Sequence, residues 1–178
     1  MPRPFYKIIF IAALALAAPS ACAATWQISE TVDEISDELS YLVHAPGSVV
    51  RTSEYMSYRP ELVVKVTPKG STNAGGMKYV GDVMIQIETD GLTRGQCEIT
   101  TRYNRDSPAT EIWTTSSDRR AAFSRDWKTT ISKLAVSTNL TARYTTTLGR
   151  TRTTTFNVAG LTNALKQVKA LYFARHKK

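Results

Sequence analysis

Chemistry in this 178-residue chain would have to be built from two histidines, two cysteines and a scatter of carboxylates. His176 lies in the basic ending Arg175-His176-Lys177-Lys178, so His44 is the one useful imidazole and Cys97 the one useful thiol. That is too few ligands for a His/Cys site for a first-row transition metal. A Cys97–His44 nucleophile pair would need an exposed, activated thiolate. Cys97 is instead in phase with Ile99 and out of phase with Glu98, the pattern of an inward strand position. A buried structural thiol fits that pattern, with an intermolecular disulfide as the alternative. Glu88, Asp90 and Glu98 come close across a turn and could pair for acid–base work, yet nothing beside them suggests a cleft, and carboxylates at strand ends are common. The glycines of Lys69 to Gly76 are not followed by the Lys-Ser/Thr and helix start that a phosphate-cradling loop needs. No catalytic residue, metal or cofactor is implied.

The strongest site candidate is a matter of charge. Arg119, Arg120, Arg125, Lys128 and Lys133 cluster around Trp113, Phe123 and Trp127, and basic side chains interleaved with aromatics can grip sugars, nucleic acid or acidic protein surfaces. The formal net charge is +8, unevenly spread. Residues 24–63 hold Glu30, Asp33, Glu34, Asp37, Glu38, Glu54 and Glu61 against Arg51 and Arg59, whereas Asp126 is the single acid from Arg119 onward. Such asymmetry points to a polyanion or acidic partner at the C-terminal part, or to a solvated basic face that pairs with the acidic segment.

The elements that must position these residues are mostly strands. Trp26 and Ile28 alternate with polar residues; Leu39 to Ala45 is closed by Pro46-Gly47, a turn signal. Tyr55, Met56 and Tyr58 lie close together and could line a groove or pack a loop. Leu62 to Thr67 and Val83 to Thr89 read as strands, and Cys97 to Tyr103 pairs as a hairpin with Thr110 to Thr115 around Trp113. Ser124 is expected to cap a helix whose face is Trp127, Ile131 and Leu134. Asn139 to Thr147 and Thr151 to Val158 flank the short loop Leu148-Gly149-Arg150. The chain then turns at Ala159-Gly160 into a last helix with Leu161, Leu165, Val168 and Leu171-Tyr172 on one face and Lys166 and Lys169 on the other. With about eight strands and two helices, the expected fold is mainly β: an antiparallel sandwich or partly open barrel, with a short helix and a C-terminal helix that closes it.

Residues 1–23 read as an export signal. Arg3 and Lys7 precede the apolar stretch Ile8 to Ala18, which is too short to span a bilayer. Ala21-Cys22-Ala23 supplies the small residues a signal peptidase reads, placing the cut before Ala24. The rival is lipid attachment at Cys22, against which Pro19 stands where a lipoprotein box wants Leu. Residues 24–178 then form a single β-rich domain with a basic C-terminal tail, in the periplasm. Without Cys22, Cys97 has no internal disulfide partner, so the domain must be stable through packing. An exported protein rarely meets its own nucleic acid, which argues against that partner.

Three landmarks carry a resemblance. They are Trp26-Gln27-Ile28-Ser29 after the signal, Arg59-Pro60-Glu61-Leu62-Val63-Val64 before the first strong strand, and the ending Thr155-Phe156-Asn157-Val158-Ala159-Gly160-Leu161 through Leu171. Between them, Thr101-Arg102-Tyr103 through Trp113-Thr114-Thr115-Ser116 is similar to an arginine–aromatic strand followed by a Trp-centred strand. Together these resemble the VasI-like small periplasmic accessory proteins of type VI secretion systems, over nearly all of the mature chain. The resemblance implies a binding or assembly role and no catalytic residues. It also implies a disulfide that this chain lacks: Val66 stands where the family often has Cys, and no Cys lies near the closing helix. The loop Lys69 to Gly81 is long for the family. Such departures fit a divergent homologue used outside a secretion system.

The resulting expectation is an exported, non-enzymatic accessory protein. Its partner would be an envelope protein complex, met through strand edges and the basic C-terminal face, or an acidic envelope polymer. Membrane contact would be peripheral, or through lipid at Cys22.

Overall fold

A computed structural model describes residues 26–32, 38–51, 57–69, 78–87 and 90–175. The export signal, Cys22, the acidic residues 33–37, Tyr55, Met56, Glu88, the glycine-rich segment 70–77 and His176 lie outside the described residues. The elements run in chain order as β1 (Gln27–Val32), β2 (Leu39–Pro46), β3 (Val50–Arg51), β4 (Ser57–Tyr58), β5 (Glu61–Lys69), β6 (Lys78–Gln86), β7 (Gln96–Tyr103), β8 (Ala109–Thr115), β9 (Ala121–Phe123), α1 (Trp127–Ala135), β10 (Asn139–Thr145), β11 (Thr151–Asn157) and α2 (Leu161–Arg175). Nine strands form one antiparallel sheet in the order β1-β2-β5-β6-β9-β8-β7-β10-β11, and β3 and β4 form a separate ribbon. The protein is mainly β, with a large antiparallel sheet that is not closed into a barrel and two short helices, as in a sandwich.

Strand alternation decides what the sheet buries. Tyr41, Val43 and Ala45 of β2, Leu62, Val64 and Val66 of β5, and Val83 and Ile85 of β6 point to one side. They meet Ile99, Trp113, Leu140, Tyr144 and Phe156 from the other end of the sheet in a single core. Each of these strands thus loses one face from water, which is the main favourable term in its formation. The two halves are brought together where the chain leaves β2. The Gly47 N–H donates to Pro60 O (2.7 Å), the Ser48 N–H donates to Thr155 O (2.8 Å), and Gly47 bridges Phe156.

Both helices cover the open side of this curl. In α1, Thr130 and Leu134 are buried while Trp127 and Ile131 pack at the core margin. The helix start differs from expectation: the N-cap is Asp126, whose carboxylate accepts from Thr129 N (3.1 Å). Ser124 lies two residues earlier and its hydroxyl meets that of Thr130 instead (2.8 Å). Asp126 can bond the N3 amide, which satisfies one orphan donor of the first turn. Gly160 turns β11 into α2 with φ +84°, a left-handed conformation that glycine adopts without strain. Leu161, Ala164 and Val168 of α2 are buried, and Trp26 Nε1 donates to Ala159 O (3.0 Å), pinning the front of β1 to the helix start.

Two features lie beyond the strand pattern read from sequence. The three-residue β9 joins β6 to β8 and so makes one sheet of two halves. Tyr58, grouped by sequence with Tyr55 and Met56, is buried and its hydroxyl meets that of Tyr144 (2.7 Å).

Candidate functional site

Cys97 and His44 are not brought together, and the carboxylate group of Glu88, Asp90 and Glu98 is described only at Asp90 and Glu98. Cys97 is buried on the inner face of β7 at 6 % exposure, and burial pushes its thiol up from 9.0 to about 11, away from the reactive thiolate. His44 faces outward from β2, on the opposite side of the sheet. Its Nε2 meets Ser29 Oγ (3.0 Å) and its Nδ1 meets Glu61 Oε2 (3.3 Å), a row across β1, β2 and β5. That row has the order of a Ser–His–acid relay. Ser29, however, stands exposed on the edge strand, and it lines none of the hollows described below. Such a serine becomes a nucleophile only where a cleft positions a substrate against it. Asp90 is held by Arg152 Nη2 (3.0 Å), and Glu98 lies on the exposed face of β7. Among the described residues no group of three or more His, Cys, Asp or Glu could hold a metal ion.

The basic candidates are dispersed. Trp113 is withdrawn from the binding face: it is fully buried in the core, where its indole N–H donates to Glu111 Oε2 (3.2 Å). Its inward phase on β8 puts the indole with Cys97, its cross-strand neighbour. Lys133 lies 3.7 Å from Glu111 Oε1 and 5.5 Å over the Tyr103 ring, and Lys128 sits 5.6 Å over Trp127. Arg119 is in a tight turn with φ +61°, its carbonyl accepting from Leu92 N. Arg125 is exposed just before α1. Two of the cluster line hollows, and they are different ones: Lys133 beside Tyr103 and Asn104, and Arg120 in a groove on the other half of the sheet.

Three surfaces stand out instead. One is the edge of the sheet at β1. Among the described residues no strand pairs with its outer side, which presents a row of backbone donors and acceptors. Its residues are Gln, Ile, Ser, Glu, Thr and Val, with neither the Lys nor the Pro that commonly blunts an edge. Beside it, Arg175 Nη1 at the end of α2 bonds Glu30 Oε2 (2.6 Å). The outward side of α2 shows Leu171 at 44 % and Phe173 at 38 % exposure, with Lys169 Nζ 5.9 Å over the Phe173 ring. Leu171, expected on the apolar core side, is turned outward.

A second surface is the outer face of β7, β10 and β11. Arg102 and Arg143 stand there among Thr100, Thr141 and Thr153 around a hollow of about 240 Å³. Hydroxyl pairs tie the strands, Thr100 to Thr110 (2.9 Å) and Thr141 to Thr155 (3.2 Å).

The third is a groove of about 660 Å³ on the outer face of β5, β6 and β9. Its floor is apolar: Met84, Ala121 and Phe123 join Val63 and Leu42 in a cluster separate from the main core. Arg59, Glu61, Gln86, Asp118 and Arg120 rim it. Arg120 belongs to the basic cluster read from the sequence. Arg59, Met84 and Phe123 come from three distant parts of the chain that only the strand order brings together.

No family model, curated protein or solved structure matches this chain significantly.

Proposed function

We propose that this chain is an exported, non-enzymatic accessory protein that docks on an envelope complex of the type VI secretion kind. The observation that carries the docking role is the outer edge of β1, which no described strand pairs with and which Arg175–Glu30 holds next to the exposed Leu171, Phe173 and Lys169 of α2. A free edge can take a strand from a partner through main-chain hydrogen bonds. The adjoining apolar and cationic side chains then give that strand a direction and a side-chain preference. The secretion context rests on the sequence resemblance, and the periplasmic location on residues 1–23.

Capture of the tagged, exported protein after in-cell crosslinking, at low and high salt, tests this reading. Recovery of secretion-system membrane components at both salts is the expected result, because a packed, main-chain interface is little screened. Absence of any envelope protein at either salt would overturn it.

The Thr/Arg face of β7, β10 and β11 favours a second reading, a module for an acidic envelope polymer. Arg102 and Arg143 offer planar charge-assisted contacts around a hydroxyl-lined hollow. In that case capture would yield polymer alone and would fall steeply as salt rises.

A further inference from the structure

The groove over β5, β6 and β9 combines features that the docking edge does not share. An outward sheet face in water is ordinarily polar, as it is at β7, β10 and β11. Here Val63 is fully buried, Met84 and Ala121 are nearly so, and the half-buried hydrophobic residues Leu42 and Phe123 pack against them. The groove therefore has an apolar floor in its own right.

Its rim is unequal in what it leaves unused. Glu61 is engaged by His44 Nδ1, which is itself held by Ser29. Asp118 accepts from the Ser116 hydroxyl and from Arg120 N (3.0 Å), and these hydrogen bonds, the hydroxyl first, keep its carboxyl below its ordinary range. Both acids are thus bound into the protein's own network. The guanidinium groups of Arg59 and Arg120 form no hydrogen bond or salt bridge with described residues, Arg120 acting on Asp118 only through its field, although each carries five donors in a planar fork. What remains to be satisfied at this groove is an anion.

We infer that the groove binds a small amphipathic anion, an apolar body ending in a phosphate or carboxylate, with the head group between Arg59 and Arg120 and the body over Met84, Ala121 and Phe123. The volume of about 660 Å³ lies inside the range of roughly 300 to 1,000 Å³ typical of small-molecule sites. Arginine matches both head groups through paired N–H donors. The apolar floor gives the body a contact that a bare inorganic anion could not use. The site is independent of the β1 edge and stands or falls separately from the docking role.

Calorimetric titration of the full exported chain with monomeric octyl phosphate and, separately, octanoate tests the inference. Saturable binding at one site is expected for at least one of them, and the tighter one identifies the head group. Arg59→Gln with Arg120→Gln should weaken it by about tenfold or more, while Lys128→Gln leaves it unchanged. Both arginines are exposed, so the double variant is expected to melt with the parent, and a matching melting curve is the control for folding. Failure of both probes to saturate would overturn the inference. So would equal binding by the double variant, by octanol, or by inorganic phosphate alone.

Discussion

Arg175 Nη1 lies 2.6 Å from Glu30 Oε2, so the last turn of α2 is tied to the edge strand β1 by residues 145 positions apart. Both side chains are about half exposed. Such a pair contributes little to global stability, roughly 0 to 1 kcal/mol, and its effect is local. Arg175→Ala is expected to leave the melting temperature within a degree or two while amide exchange quickens at the end of α2 and along β1. A uniform loss of protection across the sheet would show that the pair carries more than this.

Gly47 sits where the two halves of the sheet meet. A Cβ there would stand 2.5 Å from Thr154 Oγ1, 2.8 Å from Phe156 Cε1 and 2.9 Å from Pro60 O, of which the last is backbone and cannot swing away. Gly47→Ala should therefore cost about 1 to 3 kcal/mol, read as a lower denaturant midpoint. An unchanged midpoint would mean the seam opens freely and adds nothing to the fold.

The sequence announced the long, strictly alternating elements well. β5, β7 and the β10–β11 hairpin follow from β-branched runs and turn residues, and the inward phase of Cys97 follows from Ile99 and Glu98. β9 escaped because three residues are too few to display a period; its place is fixed by neighbours, with Ala121 N bonded to Ser116 Oγ and its strand wedged between β6 and β8. Trp113 was misread because an aromatic amid basic residues looks the same whether it faces water or the core. The groove was invisible for a different reason: no local signal links Arg59, Met84 and Arg120.

Alkaline pH should unfold the protein early. Burial raises the Cys97 thiol to about 11 and the Tyr103 phenol to about 12, and it raises Tyr58 and Tyr144 in the same direction. Each of these groups is charged when deprotonated. Above its unfolded value the unfolded chain releases a proton that the folded chain retains, so stability falls as pH rises. The thiol's share of the loss falls between about pH 9 and 11, and the phenols' share begins near pH 10. Denaturant midpoints measured from pH 7 to 11 should decline most steeply above 9, and Cys97→Ala should soften the first part of that decline. A flat profile to pH 11 would contradict the burial of these groups.

Reagents should report the same burial. With its thiol at about 11, Cys97 carries only about 0.1 % thiolate at pH 8 and is shielded by the core. Alkylation by iodoacetamide should be slow in the native protein and fast in denaturant. Rapid native labelling would restore an exposed thiol and with it the intermolecular disulfide.

The Ser29–His44–Glu61 row is expected to act as a cross-strand tie and not as a hydrolytic relay. p-Nitrophenyl acetate should be consumed at the same rate by the parent and by Ser29→Ala. A burst of nitrophenol that Ser29→Ala abolishes would establish an acyl-enzyme and displace the binding role as the account of this protein.

The docking claim is tested most directly by a photo-crosslinking residue placed at Thr31 on β1 and, for comparison, at Thr153 on the Thr/Arg face, each exported in living cells. Adducts from Thr31 with an envelope membrane protein, retained at high salt and absent from Thr153, are the predicted result. Adducts from Thr153 alone, or none from Thr31, would contradict docking through the β1 edge.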